Sequence, residues 1–229
     1  MDPVKPNEGL GVLHLFGRVH SPDGAPFDRP ALERCVAQAR AQDATVVPVA
    51  ILGHKADLCL MVLHADFSAL RRFQSAAVAS GVAVVDSYLS LTELSEYSVD
   101  VADNERRLRL WPKLPPPNKP AWCFYPMSKR RNVGANWYTL TWEQRRDLMR
   151  EHGMSGRKFG GRIAQLVTGS TGLDDFEWGV TLWGQAPDDL KAVVYTMRYD
   201  EGSALYGEFG RFYTGVTGEL AEVLDQLGV

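Results

Sequence analysis

Apolar residues recur along this chain with two periods, and the switches between them mark its elements. "GVLHLFGRVH" (11–20) is apolar and partly alternating, as a strand is, whereas "DRPALERCVAQARAQ" (28–42) has helical spacing behind Asp28 as a cap and Pro30 in the first turn. "ATVVPVAIL" and "DLCLMVLHA" flank the polar turn "GHKA" and predict an antiparallel pair. "DFSALRRFQSAAVASG" follows as a second amphipathic helix, with Asp66 or Ser68 near its cap and Gly81 near its end, and "VAVVDSYLSL" as a strand. The order is β-α-β-β-α-β.

The second half runs through that order again. "AWCFYPM" reads as a strand, "TWEQRRDLMREHG" as a helix capped by Thr141 with Gly153 just past its end, and "GRIAQLVTG" and "FEWGVTLWG" as two strands. "PDDLKAVVYTMR" is the next helix, "YGEFGRFYTG" the last strand and "GELAEVLDQL" a short terminal helix. The fold class is therefore α+β, two ferredoxin-like units in tandem at 1–100 and 121–229. Between them, 101–120 reads as a charged, proline-rich linker lying over the surface, since Pro112, Pro115, Pro116, Pro117 and Pro120 exclude a helix interior at their positions. Each sheet has helices on one face and must bury the other, most simply against its partner. The space between the sheets is expected to form a pocket lined by the strand 121–127, with Lys129, Arg130 and Arg131 at its mouth.

Composition narrows what such a pocket holds. The 229 residues are 45% hydrophobic and 23% charged, an ordinary globular balance, and the net charge of -3 argues against a nucleic-acid binder, which needs a basic face. A local cation cluster flanked by Tyr125, Trp137 and Tyr138 suits a small anion instead. Cys35, Cys59 and Cys123 form no metal or redox motif and read as reduced core thiols. No apolar run approaches the roughly 18 residues of a membrane span, and the first residues lack a leader pattern, so a cytoplasmic protein is expected.

Of the five histidines, none pairs at metal-chelating helical spacing. His152 ends its predicted helix on the side of Met149, Arg145 and Trp142, where the plain reading is a cation at the helix C-terminus. A single histidine also suffices as the axial ligand of haem iron. Tyr125 reads as a packed aromatic, the cations as a solvated turn, and "GSTGLDD" as a loop without a phosphate-binding pattern.

"CFYPMSKRR", "NWY", "LMREHG", "GRKF", "QLVTGSTGLDDFEWGVTLW" and "MRYDEGSALYGEFGRFYTG" together resemble the coproheme decarboxylases of the chlorite dismutase superfamily. The match is specific from about Trp122 to Gly215, and "LTELSEY" extends it weakly into the first half. The resemblance implies two ferredoxin-like repeats packed into a dimeric α+β barrel, assembled as a homopentamer. It implies an oxidoreductase of haem biosynthesis that binds Fe-coproporphyrin III (coproheme), uses hydrogen peroxide to convert two propionates to vinyl groups, and releases haem b. Ferrochelatase of the same pathway is an implied partner.

Carried over residue by residue, the resemblance makes His152 the axial iron ligand and Tyr125 the catalytic tyrosine, whose oxidised form takes hydrogen from a propionate β-carbon. Lys129 holds or helps to protonate the reacting propionate, with Pro126, Met127 and Ser128 beside it, and Ser203 binds another propionate. Gln165 lies over the iron, where chlorite dismutases carry an arginine, which disfavours chlorite chemistry. Arg109 matches a propionate-binding arginine, with Arg107 and Arg106 as rivals; Asp200 or Glu201 is the candidate partner of the axial imidazole. Trp137 and Trp178 match family tryptophans that pack or relay oxidising equivalents. A non-catalytic haem carrier of the same fold is the alternative reading.

Overall fold

The computed structural model describes residues 3–20, 26–97 and 102–229. The first half holds β1 (Gly11–Arg18), α1 (Arg29–Ala41), β2 (Thr45–Ile51), β3 (Leu58–His64), α2 (Phe67–Ala79) and β4 (Ala83–Thr92). Asp28 caps α1 by accepting the Ala31 N–H, and Asp66, rather than Ser68, caps α2 by accepting the Ser68 N–H. Past α2 the chain turns at Gly81 with φ +90°, and a Cβ there would press on the backbone of Pro26 and Phe27.

The second half starts with α3 (Asp103–Leu110) and β5 (Ala121–Lys129), then a small hairpin of β6 (Arg131–Asn132) and β7 (Ala135–Asn136). After a 3-10 turn at Trp137–Thr139 come α4 (Trp142–Arg157), β8 (Ile163–Gly169), β9 (Trp178–Gly184) and α5 (Pro187–Met197). The chain closes with α6 (Glu201–Ala204), β10 (Gly207–Phe209), β11 (Tyr213–Thr217) and α7 (Leu220–Gln226).

Three departures from the expected elements matter. The segment read as a linker carries α3, which ends before Pro112 as the prolines require; the boundary at 100/101 lies outside the described residues. The predicted last strand is broken into β10 and β11 at Gly210, whose N–H turns to the Pro126 carbonyl at 2.8 Å. Most consequentially, α4 does not end at Gly153. A capping box at Thr141 and Gln144 starts it, and it runs on to Arg157. His152 is therefore inside a helix, one turn from its end, and the plain reading of it as a terminal cation loses its geometry.

All nine main strands form one antiparallel sheet in the order β10-β5-β11-β2-β3-β1-β4-β8-β9, and β9 also pairs with β5, so the order closes on itself. Within the first half the order is β2-β3-β1-β4 and within the second β8-β9-β5-β11. The two halves meet at two seams: β4 joins β8 through Leu91–Gly169 and Thr92–Thr168, and β11 joins β2 through Gly215–Ile51, Val216–Ala50 and Thr217–Val49. At the second seam Gly215 lets the backbones approach; a Cβ there would lie 2.2 Å from the Ala50 carbonyl oxygen.

Closure fills the space that the sequence suggested as a pocket. Side chains alternate across each strand, so β5 sends Trp122 and Phe124 inward, where they pack with Phe16, Met61, Tyr88, Trp183 and Tyr213. His14 is wholly buried among them, 4.1 Å from the Phe124 ring, with Nε2 3.1 Å from the Thr181 hydroxyl. Tyr125 points the other way, into a cluster with Cys123, Phe159, Val180, Leu182, Leu190 and Val193 on the outer face. The interior is core, and the candidate site is outside the barrel. On the first half the outer face is covered by α1, α2 and the terminal α7, whose Leu220, Val223 and Leu224 join that core. The three cysteines are free and buried, and among the described residues no helix is long and apolar enough to cross a membrane.

Candidate functional site

The outer face of β8, β9 and β5 is a ladder in register. Tyr125 pairs with Val180 and Val180 with Val167; one rung along stand Cys123, Leu182 and Gln165, and on the other side Met127, Trp178 and Gly169. Cross-strand partners share a face, so Tyr125, Met127, Gln165 and Trp178 all project to the outer side. Pro126 and Ser128 alternate to the opposite side. The Ser128 hydroxyl accepts the Glu177 N–H at 3.1 Å, and Pro126 packs against Gly210.

Tyr125 is 9% exposed, stacked on Phe212 at 4.4 Å and edge-on to Phe209 at 5.8 Å. Burial, with the neighbouring Cys123 adding to it, pushes its phenol well above the usual tyrosine range, so it stays protonated. Among the described residues its hydroxyl has no hydrogen-bond partner, yet it is not among the wholly enclosed polar atoms that lack one. It is a phenol held by its ring and free at its oxygen.

Lys129 is not the exposed turn residue that the sequence suggested. It is the last residue of β5 and is 7% exposed. Its Nζ donates to the Gly202 carbonyl at 2.7 Å and lies 4.3 Å over the Trp137 ring. Burial depresses its ammonium to about 8, with Glu177 opposing the shift. The three cations are thus unlike: Arg131 pairs with Glu177 and covers the Tyr138 ring at 4.4 Å, and Arg130 stands exposed.

His152 is brought near Lys129 by α4, which packs on α5 and α6. Its Nδ1 is 3.2 Å from Asp200 Oδ2, the Ser155 hydroxyl donates to the other carboxylate oxygen at 2.7 Å, and the Ser203 hydroxyl is 3.4 Å from Nδ1. Of the two acidic candidates, the structure selects Asp200. Burial first, then the charge of Lys129, lowers the imidazole below its usual pKa and outweighs Asp200. A neutral ring with Nδ1–H directed at a carboxylate leaves Nε2 as a lone-pair donor, the form in which histidine binds a metal.

Arg109 stands exposed on α3, whose end is tied to β4 by the Thr92 hydroxyl donating to the Leu110 carbonyl at 2.8 Å. Two neighbours come from "LTELSEY", which the sequence tied to the resemblance only weakly. Arg145 of α4 donates to the Tyr97 hydroxyl at 3.1 Å, and the Trp178 indole donates to Glu93 at 3.2 Å, so "LTELSEY" forms a side wall of the site. Glu177 escaped notice, because a glutamate ahead of a strand reads as a surface residue.

A coproheme decarboxylase from Staphylococcus carnosus is 45% identical over 175 residues, which span 72% of this chain and 70% of that protein. A heme-binding protein from Thermus thermophilus superposes with a TM-score of 0.87 at 32% identity, covering 100% of both chains. A variant chlorite dismutase from Candidatus Nitrospira defluvii shares the fold, with a TM-score of 0.76 over 98% of both chains at 18% identity. The chlorite dismutase family profile matches residues 30–218, and the chain belongs to the chlorite dismutase family.

Proposed function

We propose that this protein is a peroxide-dependent coproheme decarboxylase, converting Fe-coproporphyrin III to haem b through a three-propionate intermediate. The observation that carries the reading is His152, with Nδ1 3.2 Å from Asp200 and close enough to the buried Lys129 to feel its charge, Lys129 ending the strand that bears Tyr125. The donor set fits an iron porphyrin: one imidazole for the metal, an apolar ladder for the macrocycle and a buried ammonium for a carboxylate.

In this reading His152 holds the iron and Asp200 orients the ring. Bound coproheme supplies the oxidising chemistry with hydrogen peroxide. Tyr125 would give its hydroxyl hydrogen to that oxidant and recover one from the β-carbon of a propionate, and the second electron would pass to the same oxidant as the carboxylate departs as carbon dioxide. Each propionate consumes one peroxide and one proton and yields a vinyl group, carbon dioxide and two waters. Lys129 holds the reacting carboxylate and sits where that proton is needed. Met127, Ser203 and Gln165 border the porphyrin, Arg109 addresses a propionate from α3, and Pro126 and Ser128 shape the strand.

The same reading makes 1–100 and 121–229 two ferredoxin-like repeats of a dimeric α+β barrel, with 101–120 between them. It also includes a homopentamer in the cytoplasm that receives coproheme from ferrochelatase. The resemblance to the Thermus thermophilus heme-binding protein supports a second reading, a carrier that binds without reacting. One experiment separates the two: coproheme is added to the purified ligand-free protein, hydrogen peroxide is titrated in, and the porphyrins are weighed by mass spectrometry. Stepwise loss of two carboxyl groups is the expected result; binding followed by bleaching alone would leave the carrier.

A further inference from the structure

Glu177 is a buried carboxylate for which the proposed reaction has no use. It is 6% exposed, just ahead of β9, and both its oxygens are engaged. Oε2 accepts the Lys129 backbone N–H at 2.9 Å, and Oε1 pairs with the Arg131 guanidinium. Arg131 also covers the Tyr138 ring at 4.4 Å, so carboxylate, guanidinium and ring form one unit. Burying a carboxylate is costly unless it is fully paired, and an apolar residue would end a strand more cheaply. The Lys129 ammonium feels the charge of Glu177 but bonds outside that unit. Its partners, the Gly202 carbonyl and the Trp137 ring, carry no formal charge.

We infer that Glu177 is a specificity-determining residue: by occupying Arg131, it leaves Lys129 as the buried cation that a porphyrin carboxylate meets. A cluster with all its cations free would hold carboxylates indiscriminately, whereas the sorted cluster addresses one ring position. This inference rests on the coproheme site proposed above, and it assigns no step to Glu177 itself.

Optical titration of the ligand-free protein with coproheme at several salt concentrations tests it. Arg131→Gln alone is expected to change the Kd by less than about twofold, and Lys129→Met to weaken it by about tenfold or more. Glu177→Gln keeps the geometry but loses the charge, and is expected to tighten binding by about threefold with a steeper salt dependence, both reversed by adding Arg131→Gln. Arg131→Gln weakening binding as much as Lys129→Met would overturn the inference, as would a Glu177→Gln protein with unchanged affinity and salt slope. Should the latter variant not fold, the Arg131 variant decides alone. Failure of the wild type to bind coproheme would refute the proposed function instead. Hydrogen exchange at the Arg131 guanidinium still reads the pair in that case: slow in the wild type, fast in Glu177→Gln, and equal rates would overturn the sorting role.

Discussion

Lys129→Met is expected to make the ligand-free protein more stable at neutral pH while costing it carboxylate recognition. Burial holds the Lys129 ammonium at about 8 in the folded protein, against the 10.5 that an exposed lysine shows. Below pH 8 the side chain is charged in both states, and only the folded one bears the cost of burying the charge. Between 8 and 10.5 the folded protein has released a proton that the unfolded chain keeps, so stability climbs as pH rises. The gap corresponds to about 3 kcal/mol. Methionine removes that cost but forfeits the hydrogen bond to Gly202 and the contact with Trp137, worth about 1 kcal/mol net, which leaves the variant ahead by about 2 kcal/mol at pH 7. Urea unfolding at pH 7 and pH 10 reads the difference. The variant's midpoint lies higher at pH 7 by about 0.7 M, and the advantage disappears by pH 10. A variant no more stable than the wild type at pH 7, or a gap that does not change with pH, would refute the picture of an ammonium whose partners fall short of its cost of burial.

Three further outcomes follow from other parts of the structure. Tyr125→Phe keeps the stacked ring and removes only the unpaired hydroxyl, so coproheme affinity should persist within about twofold while vinyl formation vanishes; equal product from the variant would remove Tyr125 from the chemistry. His14 is wholly buried and held at about 3, so the unfolded chain takes up a proton as pH falls through 6.5 while the folded one does not. His14→Phe should therefore flatten the loss of stability between pH 6.5 and 3 by about 4 kcal/mol, read from urea midpoints across that window. Gly215→Ala drives a Cβ into the Ala50 carbonyl and should cost about 2–4 kcal/mol, seen as a lowered thermal midpoint; an unchanged midpoint would mean that the β11–β2 seam yields freely.

How much of this was legible in the sequence depended on whether each signal was local. Caps and periodicity located most elements, because Asp28, Asp66 and Thr141 act within a turn of their own helix. "DNERRLRL" went unread as a helix because its apolar residues are too few to draw a stripe, and the prolines behind it dominated the reading. Gly153 looked like a stop, but tertiary packing carries α4 past it. The inward and outward faces of β5 were indistinguishable, since Trp122, Phe124, Cys123 and Tyr125 are all apolar or aromatic; only barrel closure decides which side is core. The pairing of Glu177 with Arg131 spans 46 residues and leaves no local trace.

The make-up of α4 has a consequence for the protein's life in the cell. The helix contains Gly153 and Gly156, each costing about 1 kcal/mol of helix propensity, and Ser155 is its one fully buried side chain. Such a segment contributes little to its own persistence and opens more readily than a helix that buries an apolar stripe. A ligand gripped by His152 would shield it. The protein's lifetime would then follow the supply of that ligand, with idle copies cleared first and working ones spared.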